Sequence, residues 1–196
     1  MTLEKSKKTL VLGNGQSRQD LKIENNYTIF GCNAVHRDIQ VDYLICCDKR
    51  MVKEAIASNS FPIYTRSRWY KDFRNNEVYS LPDLPYTGDL REDDPFHWGS
   101  GPYAVLMAAL YGQDVMLAGF DLYGIDKKVN NIYKDTVNYA TRDRSAIDPR
   151  YWIYQIGKVF QYFPHINFTV LNNDGWELPI QWKFNNVLLD KLPQRL

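Results

Sequence analysis

Apolar residues in this chain come mostly in short continuous runs, and alternation of apolar and polar positions is uncommon. Six runs read as strands: 8–13 (KTLVLG), 27–33 (YTIFGCN), 42–48 (DYLICCD), 61–65 (FPIYT), 114–119 (DVMLAG) and 166–172 (INFTVLN). Continuous runs are expected when helices cover both faces of a parallel sheet. Helical periodicity fits between them. Residues 49–58 (KRMVKEAIAS) have one apolar face, 101–111 (GPYAVLMAALY) is apolar nearly all round, and 149–163 (PRYWIYQIGKVFQYF) opens on Pro149 at a first helical position. Ser100 is the candidate N-cap of the second helix and Gly112 stands just past its end. With no polar face, that helix is expected to be buried against the sheet. The pattern predicts an α/β protein: a single Rossmann-like domain, with a mostly parallel central sheet and helices on both faces. The stretches 66–98 and 120–148 read as long loops, which in a compact domain are usually functional or mobile. The aromatic tail 176–196 is expected to pack on the body or on a second subunit of a homo-oligomer.

Composition narrows the partners. The 196 residues suit one domain with a full core, and 24 Lys and Arg against 23 Asp and Glu leave no net field for nonspecific binding of nucleic acid or an anionic membrane. An anion must therefore be captured by a local site. Cys32, Cys46 and Cys47 match no zinc or redox spacing and read as reduced core residues, which favours a cytoplasmic protein. The N-terminal MTLEKSKK lacks the apolar stretch of a signal peptide, and no run approaches the roughly 20 apolar residues of a membrane span.

Candidate chemistry gathers where strands end. Gly13-Asn14-Gly15-Gln16-Ser17 follows the first strand, and such a turn either brings backbone amides to a phosphate or is a plain tight turn. It is not the dinucleotide fingerprint, because Arg18 stands where the third glycine belongs. Other strands lead to Asn33, Asp48 and Gly119-Phe120-Asp121, and polar groups at several such ends can line one crevice. The segment HWGSGPY, 97–103, places Ser100 and Gly101 at the start of the buried helix, as capping or as ligand contacts. Tyr123, Tyr133 and Tyr139 offer phenols to a phosphate or rings to a base, and Arg142 and Arg144 offer charge. His36 and His97 are each placed to act as a general base, whereas His165 reads as structural. No His/Cys/Asp cluster has metal-ligand spacing, so no metal is expected.

The order GNGQS, then CN, then GSGPYAVLMAALYGQDVMLAGFDLYG resembles bacterial sialyltransferases that use CMP-sialic acid, and related Rossmann-type proteins of the pterin-pyrophosphokinase-like group. The likeness is patchy over 8–33 and good over 99–124. It implies that Asn14, Gly15 and Ser17 hold the phosphate or ribose of a nucleotide, with Gln16 in place of the family's proline. Asn33 would contact the cytidine or the leaving phosphate, and Ser100 and Gly101 the base or ribose. Tyr123 and Tyr133 would donate to the departing phosphate, so that neither a metal nor another cofactor is needed. The family's catalytic histidine has no counterpart between 98 and 164, where YATRDRSAIDPRYW offers Asp143 and Asp148 as bases instead. The resulting expectation is a metal-independent glycosyltransferase acting on a CMP-sugar or other nucleotide-sugar. Its rivals are a nucleotide-binding module without catalysis and a Mg-dependent pyrophosphokinase-like enzyme on the same scaffold.

Overall fold

In a computed structural model of the chain, residues 8–24, 26–58, 61–73 and 77–196 are described; the expectation for the first seven residues lies outside them. The strands β1 (Lys8–Leu12), β2 (Tyr27–Cys32), β3 (Tyr43–Ile45), β4 (Ile63–Thr65), β5 (Val78–Ser80), β6 (Asp114–Ala118), β7 (Asn167–Asn172) and β8 (Val187–Lys191) form one sheet. Its order is β5-β4-β3-β2-β1-β6-β7-β8, and every pairing is parallel. The chain therefore builds outward from β1 in one direction, returns, and builds outward from β6 in the other. That reversal puts the crevice between the carboxyl ends of β1 and β6, where ligands of open α/β sheets bind.

Four helices cover the sheet: α1 (Lys49–Ala57), α2 (Ser67–Phe73), α3 (Ser100–Tyr111) and α4 (Arg150–Tyr162). Neighbouring residues of β1 point to opposite faces, so Val11 joins one core with α3 and α4, while Leu10 and Leu12 join a second core with α1 and Phe73 of α2. Helices thus lie on both faces. α3 is buried along most of its length, as its composition predicts, and Gly112 ends it by donating to Ala108 O at 2.9 Å. No helix among the described residues is long and apolar enough to cross a membrane.

The structure corrects three local expectations. The stretch 66–98 contains α2 and β5, and the tail contains β8. These were hidden because each buries little: Phe73 alone in α2, Val78 alone in β5 and Val187 alone in β8. Short elements at the sheet's edges carry no sustained apolar pattern to read. The N-cap of α3 is Gly99, not Ser100, whose hydroxyl leaves the helix for other partners.

Candidate functional site

Two turns meet at the switch point. Gly13 N donates to Ala118 O at 2.8 Å and Gly15 N to Gly119 O at 2.9 Å, so the turn after β1 is bonded to the turn after β6. Their approach explains the glycines. A Cβ on Gly13 would lie 2.3 Å from Gly119 O, and Gly119 has φ +76°, a backbone region that side chains disfavour. Beneath them Arg18 is 1% exposed. Its guanidinium donates to Gly13 O, to Tyr133 Oη at 2.9 Å and to Asp38 Oδ2 at 3.3 Å, and the Tyr133 hydroxyl donates in turn to Asp38. Burial, opposed in part by Arg18, pushes the Tyr133 phenol well above its usual range. Tyr133 is therefore part of the scaffold under the turn and does not line the cleft.

Four of the turn's five amides, which the sequence offers to a phosphate, are engaged within the protein, those of Gly13 and Gly15 by the turn after β6. Ser17 N donates to Asp121 Oδ2 at 2.9 Å, Ser17 Oγ donates to Asp121 Oδ1, and Gln16 N donates to Asn130 Oδ1 at 3.0 Å. The Gln16 side chain accepts from Lys134 Nζ at 2.8 Å. Asp121, 9% exposed, thus supplies the negative charge at a place where a phosphate oxygen would otherwise sit.

Above the two turns opens a cavity of about 550 Å³, within the usual range for small-molecule sites. Asn14, Gly15, Asn33, Ser100, Gly101, Asp121 and Tyr123 all line it, whereas Gln16, Ser17, Asp48, Tyr133, Asp143 and Asp148 do not. Asn33 follows β2 with φ 52°, and its Oδ1 accepts from Ser100 Oγ at 2.8 Å. Ser100 Oγ itself accepts from Cys47 N at 2.9 Å, which ties the ends of β2 and β3 to the start of α3. Asn14 Nδ2 donates to Tyr139 Oη at 2.9 Å, and its Oδ1 is buried without a partner among the described residues. Tyr139 also accepts from Ala34 N at 3.3 Å, and burial raises its phenol far above the usual range.

The polar loop after β6 forms the other wall. It is bound to the glycine turn by Ile132 N donating to Asn14 O at 2.9 Å, and to α1 by Asn138 Nδ2 donating to Glu54 Oε2 at 2.8 Å. Arg37 bridges the same two elements, holding Glu54 at 2.6 Å and the loop carbonyl of Val137 at 2.9 Å. Hydrogen bonds from Arg37 and Asn138 keep the Glu54 carboxyl below its usual range. Asn130, Asn131, Asn138, Tyr139 and Arg144 line the cavity from this loop, and Trp152 and Ile156 do so from α4. Two charged side chains line the cleft: Asp121, engaged by Ser17, and Arg144, whose guanidinium has no partner among the described residues. The Tyr123 phenol, 49% exposed, is equally free.

The remaining candidates serve elsewhere. Asp48 caps α1, accepting from Arg50 N at 2.9 Å; burial opposes its charge, but the hydrogen bonds and ion pair from Arg50 hold it below the usual carboxylate range. Asp148 lies one residue before Pro149, the N-cap of α4, and accepts from Arg150 N at 3.0 Å, and Asp143 is exposed. His36 lies between Asn33 O and Glu54, and His97 lies between Arg91 and Asp94; neither lines the cleft. Among the described residues no group of three or more His, Cys, Asp or Glu is placed to hold a metal ion. Sequence reasoning missed Asn130, Asn131, Asn138 and Trp152, and read Arg18 only as a missing glycine.

Cys32 lines the cleft but is a poor nucleophile. Burial pushes its thiol up to about 12, and burial likewise pushes Cys47 up to about 11. A thiol that keeps its proton in the fold and loses it near pH 8.5 when unfolded favours the folded state less as pH rises. Stability should be unaffected by these groups below about pH 8.5 and fall between about pH 9 and 11. Unfolding in urea across that range should show the decline, and Cys47→Ala should flatten it. Comparison with protein families, curated proteins and solved structures finds no match for this chain.

Proposed function

We propose that the cleft binds a nucleotide or nucleotide-sugar. One observation carries the reading: at the sheet's switch point lies a cavity of ligand size, lined largely by neutral carboxamides and apolar side chains, with one cation, Arg144, left without a partner among the described residues. Carboxamides pair with bases and sugars, and an unpaired guanidinium at the rim suits a phosphate. This reading gives the phosphate to Arg144 and not to the glycine turn, because Asp121 already holds the Ser17 amide and Asn130 the Gln16 amide.

Glycosyl transfer is the second reading, and the free Tyr123 phenol, which lines the same cleft as Arg144, favours it. Donors placed where a departing phosphate gathers charge stabilise the transition state without a metal. Asp143 and Asp148 stand outside the cleft lining, so this reading gives neither of them the role of base.

A thermal-shift panel of CMP, UMP, GMP, AMP, the corresponding diphosphates and NAD, each with Mg²⁺ and with chelator, tests binding. A ligand at 100 times its dissociation constant should add about 2.7 kcal/mol of stability, a rise of several degrees in Tm. Arg144→Ala should abolish the rise at the same concentration. No shift with any nucleotide overturns the proposal. Nucleotide release from CMP- or UDP-sugars in chelator, matched by sugar appearing on an added acceptor and lost in Tyr123→Phe, would establish transfer; release to water alone would show hydrolysis, and binding without release would leave a binding module.

A further inference from the structure

A second cationic group lies on the same edge of the sheet, beyond the end of β4, and does not line the cleft. Arg66 and Arg68 follow Thr65, and both guanidinium groups rest on one aromatic ring: Arg66 is 5.2 Å and Arg68 4.8 Å from the centre of Phe96. Arg68 also lies 4.6 Å from the Trp69 ring. Arg66 is fixed by a hydrogen bond of 2.7 Å from Nη2 to Trp98 O, yet its Nε is buried without an acceptor, and so is Trp69 Nε1. No carboxylate among the described residues is ion-paired with Arg66 or Arg68, although Asp48 feels the charge of Arg66. Asp48 pairs with Arg50 at 3.0 Å and Asp72 with Lys49 at 2.5 Å, while Asp94 caps Phe96 N at 2.8 Å and lies 4.0 Å from His97.

Two like charges held against one ring, with no carboxylate ion-paired to either among the described residues, repel each other. An oxyanion held beside the two guanidinium groups relieves that repulsion. Phe96 is 42% exposed, so the place is open to solvent. We propose that Arg66 and Arg68 form a second anion site, which takes the phosphate or carboxylate group of a ligand other than the one in the main cleft. The two sites share a segment: Trp98, which holds Arg66, is two residues before Ser100, which lines the cleft. This inference does not depend on what the main cleft binds.

The test follows the Arg Nε–H and Trp indole N–H signals of the whole protein by nuclear magnetic resonance. Inorganic phosphate and, separately, citrate are titrated against chloride at constant ionic strength. Saturable shifts at Arg66 and Trp69 are expected, lost in Arg68→Ala and retained in Arg144→Ala. Saturation by phosphate alone would assign a phosphate ligand, and by citrate alone a carboxylate. Shifts that stay linear, that persist in Arg68→Ala, or that vanish in Arg144→Ala overturn the proposal, the last by returning the anion to the main cleft.

Discussion

Arg18→Ala is expected to destabilise the protein by about 3 kcal/mol or more, measured as a fall in the urea midpoint at unchanged slope. The side chain is 1% exposed and is the common donor to Gly13 O, Tyr133 and Asp38. Its removal leaves a buried carbonyl and a buried phenol short of a partner and opens a cavity, and these costs reinforce each other. Asp38, whose side chain is 41% exposed, can regain water, which keeps the loss below that of a fully buried pair. Two variants separate the contributions. Arg18→Met fills the space without the hydrogen bonds and should recover part of the stability. Tyr133→Phe removes one hydroxyl and should cost about 1–2 kcal/mol. A loss under 1 kcal/mol for Arg18→Ala would mean that the turn is held by its backbone bonds alone.

Gly13→Ala should be as damaging, for a steric reason. The new methyl would stand 2.3 Å from Gly119 O and 2.9 Å from Gly119 C, both backbone atoms that no rotamer change can move. The turns after β1 and β6 would have to separate, breaking the bonds from Gly13 N and Gly15 N at the switch point. A loss of at least about 3 kcal/mol is expected, together with loss of nucleotide binding in whatever protein still folds. Gly101→Ala is the informative contrast. Its methyl would meet only the Phe120 ring edge, at 3.3 Å, in a helical residue where Ala is favoured over Gly. Stability should change by less than about 1 kcal/mol, while a methyl added to the cleft lining lowers nucleotide affinity by about tenfold. Equal behaviour of the two variants would argue against a ligand above these turns.

These expectations separate what is written locally in the chain from what is not. The runs at β1, β2, β6 and β7 are apolar on both faces, so strand type and parallel pairing follow from composition alone. The crevice was legible too, because Gly13 and Asn33 follow such runs directly and Asp121 comes three residues after the end of β6. The use of these residues was not. A glycine turn with free-looking amides predicts a bound anion, but the protein supplies that anion as Asp121. Tyr133, read as a donor to ligand, supports the turn from below, Asp48 caps α1, and Asp148 holds the Arg150 amide at the start of α4.

The sequence by itself determined an α/β sheet, one buried helix and the strand ends at which a site would form, because burial of apolar runs is a local property with a short period. Only the tertiary structure decided which polar groups remain free for a ligand. The contacts that settle this, Ser17 to Asp121, Gln16 to Asn130 and Asn14 to Tyr139, join residues 104, 114 and 125 positions apart. Pairing at such distances depends on how the loop after β6 folds back over β1, and a hydrogen bond leaves no periodic trace in the chain. Arg144 and Tyr123 are candidates because that folding satisfied their neighbours and left their side chains unpaired among the described residues.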